Sequence, residues 1–285
     1  MKKPRPAWVL PILLGLVTCV VFSSEIGRLL NAWIHDPYTR YGFLIPPITA
    51  YLLYKKKEKL PEDFSDAYTG AALALISIPL LYLARTYGDI SHIALAFLPF
   101  VFGLSLTAYS RKGVREAWFP LAYLGLMFPL PTTLTTRVSI WMSGLTYNLT
   151  IAWLQILGIN YMDVVTQEGA TPIISVCHQG EQLAFGMDTS CLAVYSLLGF
   201  LAFGAFFAYT TTGKIYKRIL LVGTGCLLLI LLNGLRIAII LGIATAYGEG
   251  LAVDLFHLFG GWVLIAVSFL TVLMIMERSG EKIRV

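Results

Sequence analysis

Long apolar runs alternate with short polar breaks along almost the whole chain, and eight of them approach the length of about 20 residues that a helix needs to cross a bilayer. They cover Trp8–Ser24, Tyr41–Tyr54, Thr69–Tyr87, Ile90–Tyr109, Ala117–Pro131, Ser190–Tyr209, Ile219–Ala246 and Phe256–Met276, the second and fifth being the shortest. None shows the strict in-out alternation of barrel strands. The pattern predicts an all-α polytopic membrane protein of about eight transmembrane helices.

The longest interruption runs from Thr132 to Thr189. Its first part, VSIWMSGLTYNLTIAWLQILG, is apolar enough to span. A ninth crossing would, however, part the C-terminal basic tail from the other basic clusters, so this stretch is expected in the outer interface or as a re-entrant hairpin. Its second part, INYMDVVTQEGATPIISVCHQGEQLAFGMDTS, mixes β-branched residues with Gly, Pro and polar turns and predicts short strands. Residues 132–189 are therefore expected to form a small extracytoplasmic cap with short strands. No repeat or linker divides the chain, which reads as a single domain over 1–285.

Composition agrees with membrane residence. Of 285 residues, 57% are hydrophobic and 13% charged, and the mean hydropathy is +0.75. Charge sets the orientation, because basic loops resist translocation. Sixteen of the 21 lysines and arginines lie in five clusters, at Lys2/Lys3/Arg5, Lys55/Lys56/Lys57/Lys59, Arg111/Lys112/Arg115, Lys214/Lys217/Arg218 and Arg278/Lys282/Arg284. All five fall on one side of an eight-span chain. That side is expected to be the cytoplasm of a plasma-membrane protein, with both termini there. The net charge of +5 is then a topology signal with anionic lipid as its partner, and no nucleic-acid partner is implied.

Five arginines remain outside the clusters: Arg28, Arg40, Arg85, Arg137 and Arg236. The first four read equally well as interfacial side chains reaching for headgroups. Arg236 stands in the apolar run LLNGLRIAII, one helical turn from Asn233 and on the same face. Counted from Arg218 at about 1.5 Å per residue, it lies roughly 27 Å along the helix, near the outer edge of the hydrocarbon core. An ionisable residue there is costly and marks a site or a partner. Snorkelling, or a pair with Asp254 or Glu249, is the plainer alternative.

Cys191, in GMDTSCLAVYSLLGF, is expected in the first turn of the sixth span, with Asp188, Thr189 and Ser190 available to cap that helix. A thiol at a helix N-terminus is favoured as thiolate and becomes a candidate nucleophile. Two rival readings stay open: a small packing side chain, or a disulfide with Cys177. His257, in DLFHLFGGW, is expected to open the eighth span at the depth of Cys191 and Arg236. Thiolate, imidazole and guanidinium together suit acyl transfer, as nucleophile, proton relay and oxyanion partner. Cys19 and Cys226 read as packing residues. No cofactor is implied, and the four histidines lack metal-ligand spacing.

Taken in order, Cys191, the Asn233-Gly-Leu-Arg236 motif and His257 resemble the exosortase/archaeosortase family of membrane cysteine transpeptidases. DPYTRYGFLIPPITAYLLYKKK is similar to that family's early motif, and MFPLPTTL to its Phe-Pro-x-Pro stretch. Leu192 and Ala193 follow Cys191 where many bacterial members carry Ser-Gly. The resemblance implies catalytic Cys191, Arg236 and His257, with Asn233, Asp254 and Asp188 supporting. It also implies a reaction facing the extracytoplasmic side: cleavage of a C-terminal signal made of a short motif, one transmembrane helix and a basic tail, carried by an exported protein. Transfer to an amine-bearing acceptor, expected to be a membrane lipid, would follow. The competing expectation is a non-catalytic transporter or assembly factor, with Cys177–Cys191 as a structural disulfide.

Overall fold

Between lipid-embedded helices no hydrophobic force operates, so they associate where small residues let backbones approach and turn their large apolar side chains outward. Helix α4 (Ala67–Tyr87) follows this rule: it buries Gly70, Ala74, Ser77, Leu81 and Ala84 and exposes Leu75, Ile76, Ile78, Tyr82 and Leu83. The structure, a computed structural model, describes residues 9–36, 39–164, 172–186, 194–258 and 261–278. Its contacts divide the chain into two compact units, Met1–Thr132 and Thr133–Arg284.

In the first unit, α4 packs along α5 (Ile93–Tyr123). The two cross at a glycine pair. A Cβ on Gly70 would collide with the Thr107 backbone and lie 2.6 Å from the Gly103 carbonyl, and one on Gly103 would lie 2.6 Å from Ala74 N. The Gly70/Ala74 and Gly103/Thr107 pairs, each four residues apart, thus form a small-residue seam on both helices.

Helix α5 is folded upon itself. Ser110 has φ 52° and ψ −178°, non-helical values that separate an arm over 93–109 from one over 111–123. Beyond that break the chain returns: Leu98 lies against Gly125, and the Phe97 and Phe128 rings are 5.1 Å apart. A straight helix would hold positions 98 and 125 about 40 Å apart. The turn is held by the α3–α4 loop, with Ser110 Oγ donating to Asp63 Oδ2 at 2.8 Å and the Arg111 N–H donating to Asp66 Oδ2 at 2.9 Å. The Ser65 N–H and, after it, the Ser110 hydroxyl hold the Asp63 carboxyl below the usual carboxylate range. Lys56 Nζ lies 3.9 Å from Glu116 at this same end. The Lys55–Lys59 and Arg111–Arg115 clusters therefore share one end of the unit, as the sequence predicts.

The other end is tied by different bonds. Buried Glu25 accepts from Arg85 Nε at 2.7 Å, Arg28 donates to the Gly88 carbonyl, and Trp33 Nε1 donates to the Met127 carbonyl at 3.0 Å. Helices α1 (Val9–Val21) and α2 (Ser23–His35) meet at a bend of 85°. Helix α3 (Ile45–Lys55) has only 11 residues and follows a 3₁₀ turn over Arg40–Leu44.

The second unit contains α6 (Thr132–Leu157, whose first residue belongs to the other unit), a sheet, and helices α7 (Val194–Thr210), α8 (Ile215–Tyr247), α9 (Glu249–Leu258) and α10 (Gly261–Arg278). Strands β1 (Met162–Val164), β2 (Ile173–His178) and β3 (Glu181–Gly186) form an antiparallel sheet in that order. Ile174 and Val176 of β2 pack on Ile237, Leu241 and Ala244 of α8 and Leu154 of α6. The short strands expected near the cap are therefore present.

The helices match the sequence reading in part and differ from it in two places. Among the described residues three stretches are long and apolar enough to cross a membrane, Ala67–Tyr87, Ile90–Met127 and Ile215–Tyr247, or four if the bent α1–α2 pair is one span. Eight spans are therefore not established among the described residues. The Thr132–Leu157 stretch is one unbroken helix of 26 residues, so the re-entrant hairpin falls. The last apolar run is divided into α9 and α10.

The glycine seam yields a prediction. Gly103→Leu forces a side chain into the α4 backbone and is expected to cost about 1–3 kcal/mol. Gly144→Leu, at a site with nothing within 4 Å of a Cβ, should cost almost nothing. Thermal melting of the detergent-solubilised protein, followed by size-exclusion chromatography, checks the difference.

Candidate active site

Three contacts fix the register of α7 on α8. Arg218 Nη1 donates to the Ala208 carbonyl at 3.2 Å, a Cβ on Gly204 would lie 2.8 Å from Val222 Cγ1, and the Phe200 ring fills the notch at Gly225. The helices run antiparallel, and each step back along α7 matches a step forward along α8. Extended by the same spacing, Val194, the first residue of α7, stands level with about Leu231, roughly 7.5 Å before Arg236 along the helix.

Helix α10 shares that notch. A Cβ on Gly225 would lie 2.9 Å from Val272 Cγ2. At the far end Thr211, just beyond α7, donates to Met276 Sδ at 3.7 Å, so α10 runs down α8 in the same sense as α7. Gly261 precedes Val272 by eleven residues and Arg236 follows Gly225 by eleven, each about 16 Å along its helix. The start of α10 is therefore level with Arg236.

Helix α8 continues past Arg236 to Tyr247 and ends at Gly248, whose φ of 88° and ψ of 178° suit a residue without a Cβ. Only this residue separates α8 from α9, and the two helices pack together, so α9 doubles back along α8. Ala252 of α9 is fully buried in the cluster with Leu241 and Ala244. His257 occupies the last turn of this ten-residue helix. The expectation that it opens the last long helix is thus corrected: it comes back toward the level of Arg236 at the end of a returning helix. Its side chain lies outside the described residues.

Asn233 is 1% exposed in the middle of α8, and Arg236, one turn on, is half-buried. Beside them a Cβ on Gly234 would lie 2.9 Å from Leu149 Cβ, and Trp153 Nε1 donates to the Leu231 carbonyl at 3.3 Å. Helix α6 thus backs the Asn233–Arg236 segment. Asp254 is exposed on α9 and makes no ion pair with Arg236 among the described residues. Cys191 and Asp188 lie outside the described residues.

The sheet is joined to the same segment. His178, next to Cys177 on β2, shares an Nδ1 hydrogen bond of 2.9 Å with the Thr245 carbonyl of α8, and its Nε2 faces the Gly248 turn. Nothing in the sequence assigns His178 this role. Its docking role depends on a contact 67 residues away that no local pattern announces. Cys177 itself carries a free, exposed thiol, so the disulfide between Cys177 and Cys191 is not formed in this structure.

Comparison with known proteins adds one match. The family model described as Transmembrane exosortase (Exosortase_EpsH) matches residues 33–274, a stretch that runs through both units. No curated protein and no solved structure matches the chain. A match over more than four-fifths of the sequence, on a chain of apolar helices that turn their large side chains outward, assigns this membrane protein to the transmembrane exosortase family.

Proposed function

We propose that the protein is a membrane-embedded cysteine transpeptidase that removes the C-terminal sorting signal of exported proteins. The observation that carries this reading is that the starts of α7 and α10 both meet α8 within about 8 Å, along its axis, of Arg236. Cys191 precedes Val194 by three residues, so the chain keeps it within about 11 Å of that helix start. His257 stands four residues before Gly261.

In the proposed reaction the Cys191 thiolate attacks the scissile carbonyl carbon, and Arg236 stabilises the oxyanion of the tetrahedral intermediate, a contribution on the order of 3 kcal/mol. As the C–N bond breaks, His257 as imidazolium gives its proton to the leaving amine, the new N-terminus of the released helix and tail. A thioester to Cys191 remains. An amine-bearing acceptor, for which a membrane lipid is the expected source, loses its proton to His257 as it attacks. The thiolate then leaves. Asn233 orients the Arg236 face of α8 from one turn away, Asp254 lies one turn before His257 on α9 and is the carboxylate nearest in chain to orient the imidazole, and Asp188, three residues before Cys191, supports the segment that carries the nucleophile.

The substrate is an exported protein whose signal combines a short motif, one transmembrane helix and a basic tail. We infer eight passes through the plasma membrane, with both termini cytoplasmic and the site on the extracytoplasmic side. The shared end of the Lys55–Lys59 and Arg111–Arg115 clusters supports this orientation, as does the pairing of the α7–α8 turn with the end of α10.

Two predictions test the reading. Cys191→Ala should abolish loss of the basic tail from a co-produced tripartite substrate. Arg236→Ala should slow it at least a hundredfold, the cost of losing an oxyanion partner. Gel shift and intact mass follow both. Full processing by Cys191→Ala would sink the proposal. Separately, Cys177 in the unreduced protein should take up one equivalent of a membrane-impermeant maleimide from the outer side. A thiol that reacts only after reduction would restore the disulfide reading.

A further inference from the structure

The β2–β3 hairpin turns through Gln179 and Gly180, with φ of 51° and 89°. Two central residues of positive φ make the tight turn that matches the twist of the flanking strands, and the residues closing it, His178 and Glu181, exchange both backbone hydrogen bonds. Bonded pairs then alternate along the register His178↔Glu181, Val176↔Leu183 and Ile174↔Phe185. Glu181, Leu183 and Phe185 turn their amides toward β2. Gln182 and Ala184 turn theirs away, to the outer edge of the sheet.

Among the described residues no strand pairs with that edge, since the order is β1-β2-β3. Gln182 and Ala184 are also exposed. Proteins ordinarily blunt an open edge with charged side chains, proline or a bulge, and β3, EQLAFG, has one charge, Glu181 beside the turn, and neither lysine, proline nor bulge over an unbroken register. The opposite face of β3 is anchored, because Leu183 and Phe185 pack against the cluster around Leu241 and Ala252. The edge is therefore held rigidly on α8. It also leads out of Gly186 directly into the segment that carries Cys191 and enters α7.

We propose that the outer edge of β3 binds the sorting motif of the substrate as an added antiparallel or parallel strand, in the extended stretch just before its transmembrane helix. This rests on the transpeptidase reading above. Backbone hydrogen bonds to Gln182 and Ala184 carry the affinity, as in other cases of strand addition, and they hold the peptide extended as it passes toward the nucleophile.

The test uses the full-length protein in nanodiscs with a substrate bearing motif, helix and basic tail. In a Cys191→Ala background, a photocrosslinking residue at position 182 should capture the motif, and one at Met162, on the far strand, should not. Ala184→Pro deletes an outward N–H without touching a bond to β2 and should raise KM about tenfold with little change in kcat. Ala184→Ser, which keeps the N–H, should raise KM far less. Equal capture from both positions, or none from 182, overturns the proposal, as does an equal KM for the two variants. If the wild type fails to process the substrate, the transpeptidase reading falls, and the crosslinks still decide whether the edge binds the motif.

Discussion

Everything in the second unit hangs on the glycines of α8. In a lipid setting a helix gains little by hiding leucines from its surroundings, so contact is won where a missing Cβ lets a neighbour come close. Gly225 admits Phe200 from α7 and Val272 from α10, Gly234 admits Leu149 from α6, and Gly242 admits Ile159 from the end of α6. Each notch takes a different partner, and together they set the height at which every neighbouring helix starts and stops. The heights of Val194 and Gly261 along α8, both close to that of Arg236, are a consequence of that register.

The same helix explains how polar groups are tolerated. Asn233 and Arg236 stand one turn apart where α8 is backed by α6 and covered further along by the sheet. Ile174 and Val176 seal the C-terminal half of α8 with apolar side chains, and His178 ties the sheet to the carbonyl of Thr245 near the helix end. Gly248 then reverses the chain at no steric cost, so that α9 returns along the helix it has just left. A single αα turn thereby brings a histidine close in height to an arginine 21 positions earlier.

The first unit solves a different problem with similar means. Its α4–α5 seam is made of Gly70, Ala74, Gly103 and Thr107, and its hairpin is folded at Ser110, a non-glycine residue with positive φ. Such a conformation costs about 1–3 kcal/mol and persists where surrounding contacts demand it. Asp63 and Asp66 supply those contacts, and the neighbouring Arg111 and Lys56 bring the basic residues of two loops to one end.

Much of this was legible in the residues alone. Apolar run length predicted the long apolar helices over Ala67–Tyr87, Ile90–Met127 and Ile215–Tyr247, and the Ile90–Tyr109 run matches the first arm of α5. Basic clustering predicted which loops share an end, and β-branched residues between turn formers predicted the strands. These features depend on local composition, which transfer into lipid reads directly. Only the tertiary structure decided that α6 is continuous, that α1 and α2 bend sharply, that His257 rides a returning helix, and that no described strand pairs with the outer edge of β3. Each of those turns on a contact between residues far apart in the chain, such as Leu149 at Gly234 or His178 at Thr245. A local pattern records what a segment prefers; which notch its neighbour will fill is set only when the helices meet.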